Sequence, residues 1–102
     1  MTRWKETERR VASMLDGERV PITGRQRGSA PDIEHPRFSI EVKDREKLPS
    51  WLHDAMAQAV ASIRNGKVPV VILHAKGMQH ADDFVMMRLG DFRTMYLSEE
   101  AQ

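Results

Sequence analysis

The clearest alternation of apolar and polar positions runs from Phe38 to Lys43. Phe38, Ile40 and Val42 fall on one face of an extended strand, and Ser39, Glu41 and Lys43 on the other. Upstream, Asp32-Ile33-Glu34 leads into His35-Pro36, where proline has no N–H for a ladder and marks a reversal. The two segments predict a hairpin over 32–43. With Glu34 and Arg37 flanking the turn, Ile33 stands opposite Phe38 and Asp32 opposite Ser39. Glu41 is then a diagonal neighbour of Asp32 on the same face, roughly 7–8 Å away. A one-residue slip would carry Asp32 to the other face.

Elsewhere the pattern has helical spacing. Lys5 to Leu15 reads as a helix, with Trp4, Val11 and Leu15 in one apolar stripe and Glu8 inside it. Glu6 lies round the helix, toward solvent. Asp16-Gly17 ends this helix, glycine suiting a left-handed C-cap. Arg19 to Ile22 is a short strand, placed at an edge by Pro21. Thr23 to Ala30 is a basic loop. A second helix opens at Leu48-Pro49-Ser50 with Ser50 as N-cap, shows an apolar face from Trp51 to Ile63, and stops at Asn65-Gly66. Val68 to Ala75 is a continuous β-branched run of the kind buried on both faces of a sheet. A loop over 78–83, a strand from Phe84 to Leu89 and a helix from Gly90 to Tyr96 follow, and 97–102 reads as a frayed tail.

The order is helix, three strands, helix, two strands, helix. The long helix between Lys43 and Val68 predicts a crossover joining parallel strands. The expected fold is α/β, a mixed sheet flanked by helices, in a single domain over 1–102.

Composition narrows the picture. The chain has 102 residues and no cysteine, so disulfides and thiolate metal sites are excluded and a reducing cytoplasm is expected. No apolar run approaches the roughly 18 residues of a membrane span, and the start is too charged for a signal peptide. The net charge is only +1, but Arg3, Lys5, Arg9, Arg10, Arg19, Arg25 and Arg27 crowd the first quarter. Such a basic helix and loop would neutralise phosphates, or would simply be a solvated charged surface.

Candidate chemistry lies in the acids. Carboxylates on neighbouring strands repel unless a cation sits between them, and Lys43 points to the same side as Glu41. One hard cation with oxygen ligands at about 2.1 Å can bridge Asp32 and Glu41. Glu8, on the buried face of its helix, needs a partner. That partner is the same metal site or, alternatively, an arginine at the rim of the core. The histidines show no helical pair and no zinc spacing. His35 is in a turn, His53 on a helix, His74 at a strand end and His80 in a loop. His74 reads as a packed or surface residue, with a general-base role left open.

Glu8, Pro31-Asp32 and Glu41-Val42-Lys43, each on its expected element, resemble the PD-(D/E)XK nuclease superfamily. Within it the chain is similar to the small archaeal-type Holliday junction resolvases, including versions carried by phages. Glu8-Arg9 matches their helical Glu-Arg pair, Gly28-Ser29 their Gly-Ser loop, and Gln58 a glutamine on the following helix. The likeness runs from about Trp4 to Ala75; 78–102 has no counterpart, and the His35-Pro36 turn is shorter than in relatives.

The resemblance implies a restriction-endonuclease-like core and a Mg²⁺- or Mn²⁺-dependent endonuclease acting on DNA in the cytoplasm, with branched DNA as substrate. Asp32 and Glu41 would ligate the metal with the Val42 carbonyl, and Glu8 would contact that ion, a second ion or its water. Lys43 would position the attacking water and stabilise developing charge; an ordinary ion pair with Glu41 or Asp32 is its alternative. Arg3, Lys5, Arg9, Arg10, Arg25 and Arg27 would contact the DNA backbone without reading sequence. Ser29 would contact a phosphate or merely decorate its loop, and Gln58 is an accessory candidate. Symmetric cutting of two strands needs a homodimer. Phe84-Val85-Met86-Met87 and the face of Trp51, Leu52 and Met56 could supply its surface, although core packing is the commoner fate of such residues. Other readings are cleavage of flaps, single strands or duplex, a DNA-binding module without catalysis, and a structural protein whose acids pair with arginines.

Overall fold

The polypeptide begins with helix α1 (Arg3–Leu15), whose buried residues Glu8, Ala12 and Leu15 recur at helical spacing. This computed structural model describes residues 3–21 and 30–100, with the side chains of 97–100 outside the description. The chain forms two compact units, Met1–Glu46 and Lys47–Gln102, and each is described by itself.

In the first unit, α1 ends in a Schellman motif. Asp16 takes the left-handed conformation, with φ of 57°, and the Gly17 N–H donates to the Ala12 carbonyl at 2.9 Å. The sequence assigned the left-handed position to Gly17; it belongs to Asp16, whose short polar side chain tolerates it. Gly17 serves close approach instead. A Cβ there would lie 2.7 Å from Ile33 Cγ2 and 2.9 Å from the Glu34 carbonyl oxygen.

Beyond Gly17 come β1 (Glu18–Arg19), β2 (Ile33–Glu34) and β3 (Ser39–Ile40), an antiparallel sheet in that order with β1 at an edge. The register pairs Glu18 with Glu34, Arg19 with Ile33, Ile33 with Ile40 and Glu34 with Ser39. The hairpin is therefore slipped by two residues from the expected pairing of Ile33 with Phe38. The reason is the turn, which takes in His35 through Phe38. Its Arg37 N–H donates to His35 Nδ1 at 3.0 Å, and the His35 and Phe38 rings stack at 5.1 Å. A two-residue slip preserves faces, so burial still alternates from Phe38 to Lys43 as the pattern predicted. Ile33, on the central strand of this sheet, is fully buried, and Ala12 and Leu15 of α1 are the other buried apolar residues of the unit. A side chain buried to that extent contributes about 1.5–3 kcal/mol.

In the second unit, α2 (Ser50–Ala61) has Pro49 at its N-cap and no side-chain capping bond, so Ser50 opens the helix rather than capping it. The helix ends at Ala61, and Asn65 and Gly66, both at positive φ, shape the turn beyond it. Strand β4 (Val71–Leu73) pairs antiparallel with β5 (Phe84–Met86), and α2 packs against β4. A short 3₁₀ turn, His80–Asp82, lies in their connection. The last helix, α3 (Leu89–Glu100), continues past Tyr96 into the segment expected to fray.

The architecture is thus mixed α/β, with three helices and two small antiparallel sheets among the described residues. The parallel pair expected across α2 is not among the pairings found. β4 instead pairs with the strand that follows it, the local choice that loop-closure entropy favours. Nor is the β-branched run buried on both faces: Val68, Val70 and Ile72 are exposed, and within 68–75 burial is reached at Pro69. No helix among the described residues is long and apolar enough to cross a membrane.

Candidate functional site

The first unit carries an open recess of about 340 Å³ lined by Trp4, Glu8, Asp32, Val42, Lys43, Asp44 and Arg45. α1 delivers Glu8 because position 8 lies one turn before Ala12 on the buried face. The chain entering β2 delivers Asp32, and the segment leaving β3 delivers Val42 to Arg45. Glu8 and Asp32 are the two buried charged residues among those described, at 4% and 5% exposure. Both therefore need compensation.

Each has it. Glu8 Oε1 accepts a 2.8 Å hydrogen bond from Arg19 Nε, and this ion pair is itself largely screened from water. Arg19 lies over the Trp4 ring with its guanidinium carbon 5.8 Å from the centroid, so one cation serves a carboxylate and an aromatic face. This is the arginine partner that the sequence left open as the alternative for Glu8. Asp32 Oδ2 accepts the Val42 backbone N–H at 2.7 Å, which fixes the aspartate against the segment after β3 that carries Lys43.

The remaining predicted residues are distributed as follows. Lys43 is exposed and lines the recess with Asp32 and Glu8. Continuing the β2–β3 register by one residue sets Glu41 directly opposite Asp32, closer than the diagonal expected. Its side chain is nevertheless exposed and does not line the recess. Arg3 pairs with Asp44 at 3.2 Å and Arg10 with Glu6 at 3.1 Å. Lys5 places its ammonium 5.4 Å from the Trp4 ring, and Arg9 is exposed. The basic helix thus uses part of its charge on Glu6 within it and on Asp44 beyond β3. Arg25, Arg27 and Ser29 lie outside the described residues. Gln58 is exposed on α2, in the second unit.

Sequence reasoning missed Asp44. Its Oδ2 accepts from Thr7 Oγ1 at 2.8 Å and from Arg3 Nε at 3.3 Å, tying the start of α1 to the segment after β3. The signal was present: extending the alternation one residue past Lys43 puts Asp44 on the inward face of Val42. Asp44, rather than Glu41, is the third carboxylate on the recess wall.

All these donors are oxygen, the right kind for a hard cation such as Mg²⁺, which takes one or two carboxylates and keeps several waters. They are not gathered tightly. Among the described residues, the acidic or histidine group that brings three ligand atoms within 4.8 Å of one another is His74, His80 and Asp83, in the second unit. Sequence spacing had given these histidines no metal role. Glu8, Asp32 and Asp44 line the first-unit recess without forming such a group, and Glu41 does not line it. No family model matches this chain, and no curated protein or solved structure is detectably similar to it.

Proposed function

We propose that the first unit is a divalent-metal-dependent nuclease site that hydrolyses phosphodiester bonds in DNA, organised as in PD-(D/E)XK enzymes with their restriction-endonuclease-like core. The observation that carries this reading is the burial of Glu8 and Asp32 on one open recess beside Lys43. Two largely buried carboxylates share this recess with a lysine, and a cation held there would add to the compensation that Arg19 and the Val42 N–H already give them.

Mg²⁺ or Mn²⁺ would supply an acidified water and neutralise charge on the phosphate. The residues do the rest. Asp32, oriented by the Val42 N–H, would hold the ion as an anchored ligand, since a hydrogen bond from outside fixes a ligand's direction. Glu41, opposite it in register, would complete the pair, with the Val42 carbonyl alongside. Glu8, whose Oε1 is held by Arg19, lines the same recess and would contact the ion or its bound water. Lys43 would stabilise charge developing on the phosphate. Arg3, Lys5, Arg9, Arg10, Arg25 and Arg27, with Ser29, would contact the backbone, which favours selection by DNA shape over base sequence. Junction resolution further requires a homodimer, for which the exposed apolar side chains of Trp51, Phe84 and Val85 offer surface.

A second reading is favoured by the 2.8 Å Arg19–Glu8 pair. With its buried acid already satisfied, the unit would bind nucleic acid without cutting it. Labelled four-way junction, flap, single strand and linear duplex, incubated at equal salt with Mg²⁺, separate these readings. The nuclease proposal expects cleavage, strongest on the junction; binding with no cleavage of any substrate supports the second.

A further inference from the structure

The hairpin of the second unit holds a cluster that the nuclease reading does not use. Leu73 pairs with Phe84, so His74 and Asp83 face each other at the mouth of the β4–β5 connection. His80, at the start of the 3₁₀ turn, comes back over the same carboxylate. His74 Nδ1 lies 2.6 Å from Asp83 Oδ1 and His80 Nδ1 lies 3.1 Å from Asp83 Oδ2, so both oxygens are engaged by imidazoles. The two rings stand 4.4 Å apart between centroids, tilted by 31°.

We propose that His74, His80 and Asp83 form a binding site for one divalent transition cation of the zinc class. Two imidazole nitrogens and a carboxylate are a borderline donor set, which selects zinc, cobalt or nickel over magnesium. Zinc bonds of about 2.0–2.2 Å put tetrahedral ligand atoms roughly 3.3 Å from one another. The two nitrogen–oxygen separations here, 2.6 and 3.1 Å, need only small side-chain shifts to reach that spacing.

The backbone is already set for it. Met78 N–H donates to the Ala75 carbonyl, Asp82 N–H to Gln79 and Asp83 N–H to His80, at 2.9 to 3.1 Å, so the loop carries its own bonds before any ion arrives. The Asp83 side chain is 8% exposed while those of His74 and His80 are 38% and 85% exposed. A largely screened carboxylate below two accessible imidazoles leaves a solvent-facing position for water or a further ligand, the arrangement of an open rather than a closed zinc site. The competing account is a hydrogen-bonded clamp: Asp83 fastens two histidines and binds nothing.

Titration of the full-length chain with ZnCl₂ by calorimetry, and with CoCl₂ by visible absorption, distinguishes the two. With excess Mg²⁺ present to occupy the first-unit recess, the site predicts one equivalent of bound ion and a cobalt spectrum of low coordination number. His80→Ala, at an exposed position, and Asp83→Asn should each weaken binding at least about tenfold, the loss that removal of even an outer partner causes. Asp32→Asn should leave it unchanged, which keeps this site apart from the first-unit recess. Absence of binding, binding indifferent to His80→Ala and Asp83→Asn, or loss of binding in Asp32→Asn would each overturn the proposal.

Discussion

Val42 donates its backbone N–H to Asp32 Oδ2 at 2.7 Å, so the aspartate is bonded to the segment that carries Lys43. The bond makes Asp32 a structural residue whatever else it does. Asp32→Ala leaves the Val42 N–H without this acceptor and should destabilise the fold by about 1–3 kcal/mol. Asp32→Asn keeps a carbonyl oxygen at the same place and should lose distinctly less. Urea denaturation of the two variants measures the difference, and equal losses would show that the bond contributes nothing.

Arg19 and Glu8 form an ion pair with little access to water. Removing one partner strands the other charge, which costs about 3–5 kcal/mol when both are buried. Arg19→Met should therefore be strongly destabilising, and adding Glu8→Gln to it should recover part of the loss. A double-mutant cycle by thermal or chemical unfolding reads the coupling. Additive single effects would mean that the pair is incidental.

Gly17 and Asp16 exchange the roles that their residue types suggest. Gly17→Ala drives a Cβ against Ile33 Cγ2 and the Glu34 carbonyl oxygen, at 2.7 and 2.9 Å. The second of these is backbone and cannot rotate away, so the variant should lose about 1–3 kcal/mol. Asp16→Gly relieves a positive φ and should gain up to about 1 kcal/mol. Melting temperatures moving in opposite directions would bear this out.

Glu18 and Glu34 stand directly opposite each other on adjacent antiparallel strands. Like charges in that relation repel, so Glu18→Lys should stabilise the sheet by about 0.2–1 kcal/mol. The gain should shrink as salt is raised. A gain that persists unchanged at high ionic strength would point to a cause other than the charge pair.

How much of this was legible in the sequence depends on the range of the interaction. Helix α1, the alternation from Phe38 to Lys43 and the burial of Glu8 follow from local periodicity, which the chain displays openly. The hairpin register does not, because it turns on a four-residue turn held by His35 and Phe38, where the proline suggested a tighter reversal. The pairing of Glu8 with Arg19 required knowing that β1 folds back beside α1. The exposed faces of Val70, Ile72 and Phe84 were hidden for the opposite reason: a β-branched run looks the same whether another layer covers it or not. Asp44 lay one residue beyond the motif that drew attention, and His80 meets His74 only because β4 pairs with β5.

The proposed chemistry requires the Asp32 recess to work through a bound metal. Cleavage of a labelled four-way junction should be followed for the natural sequence, Asp32→Asn and Glu41→Gln, each with Mg²⁺ and with excess chelator. The natural sequence should cut in Mg²⁺ alone, and chelator or Asp32→Asn should abolish cutting. Glu41→Gln should also impair cutting while changing stability by less than about 0.5 kcal/mol, because that side chain is exposed. Undiminished cleavage in Asp32→Asn, or in chelator, would rule out a metal-dependent site at Asp32.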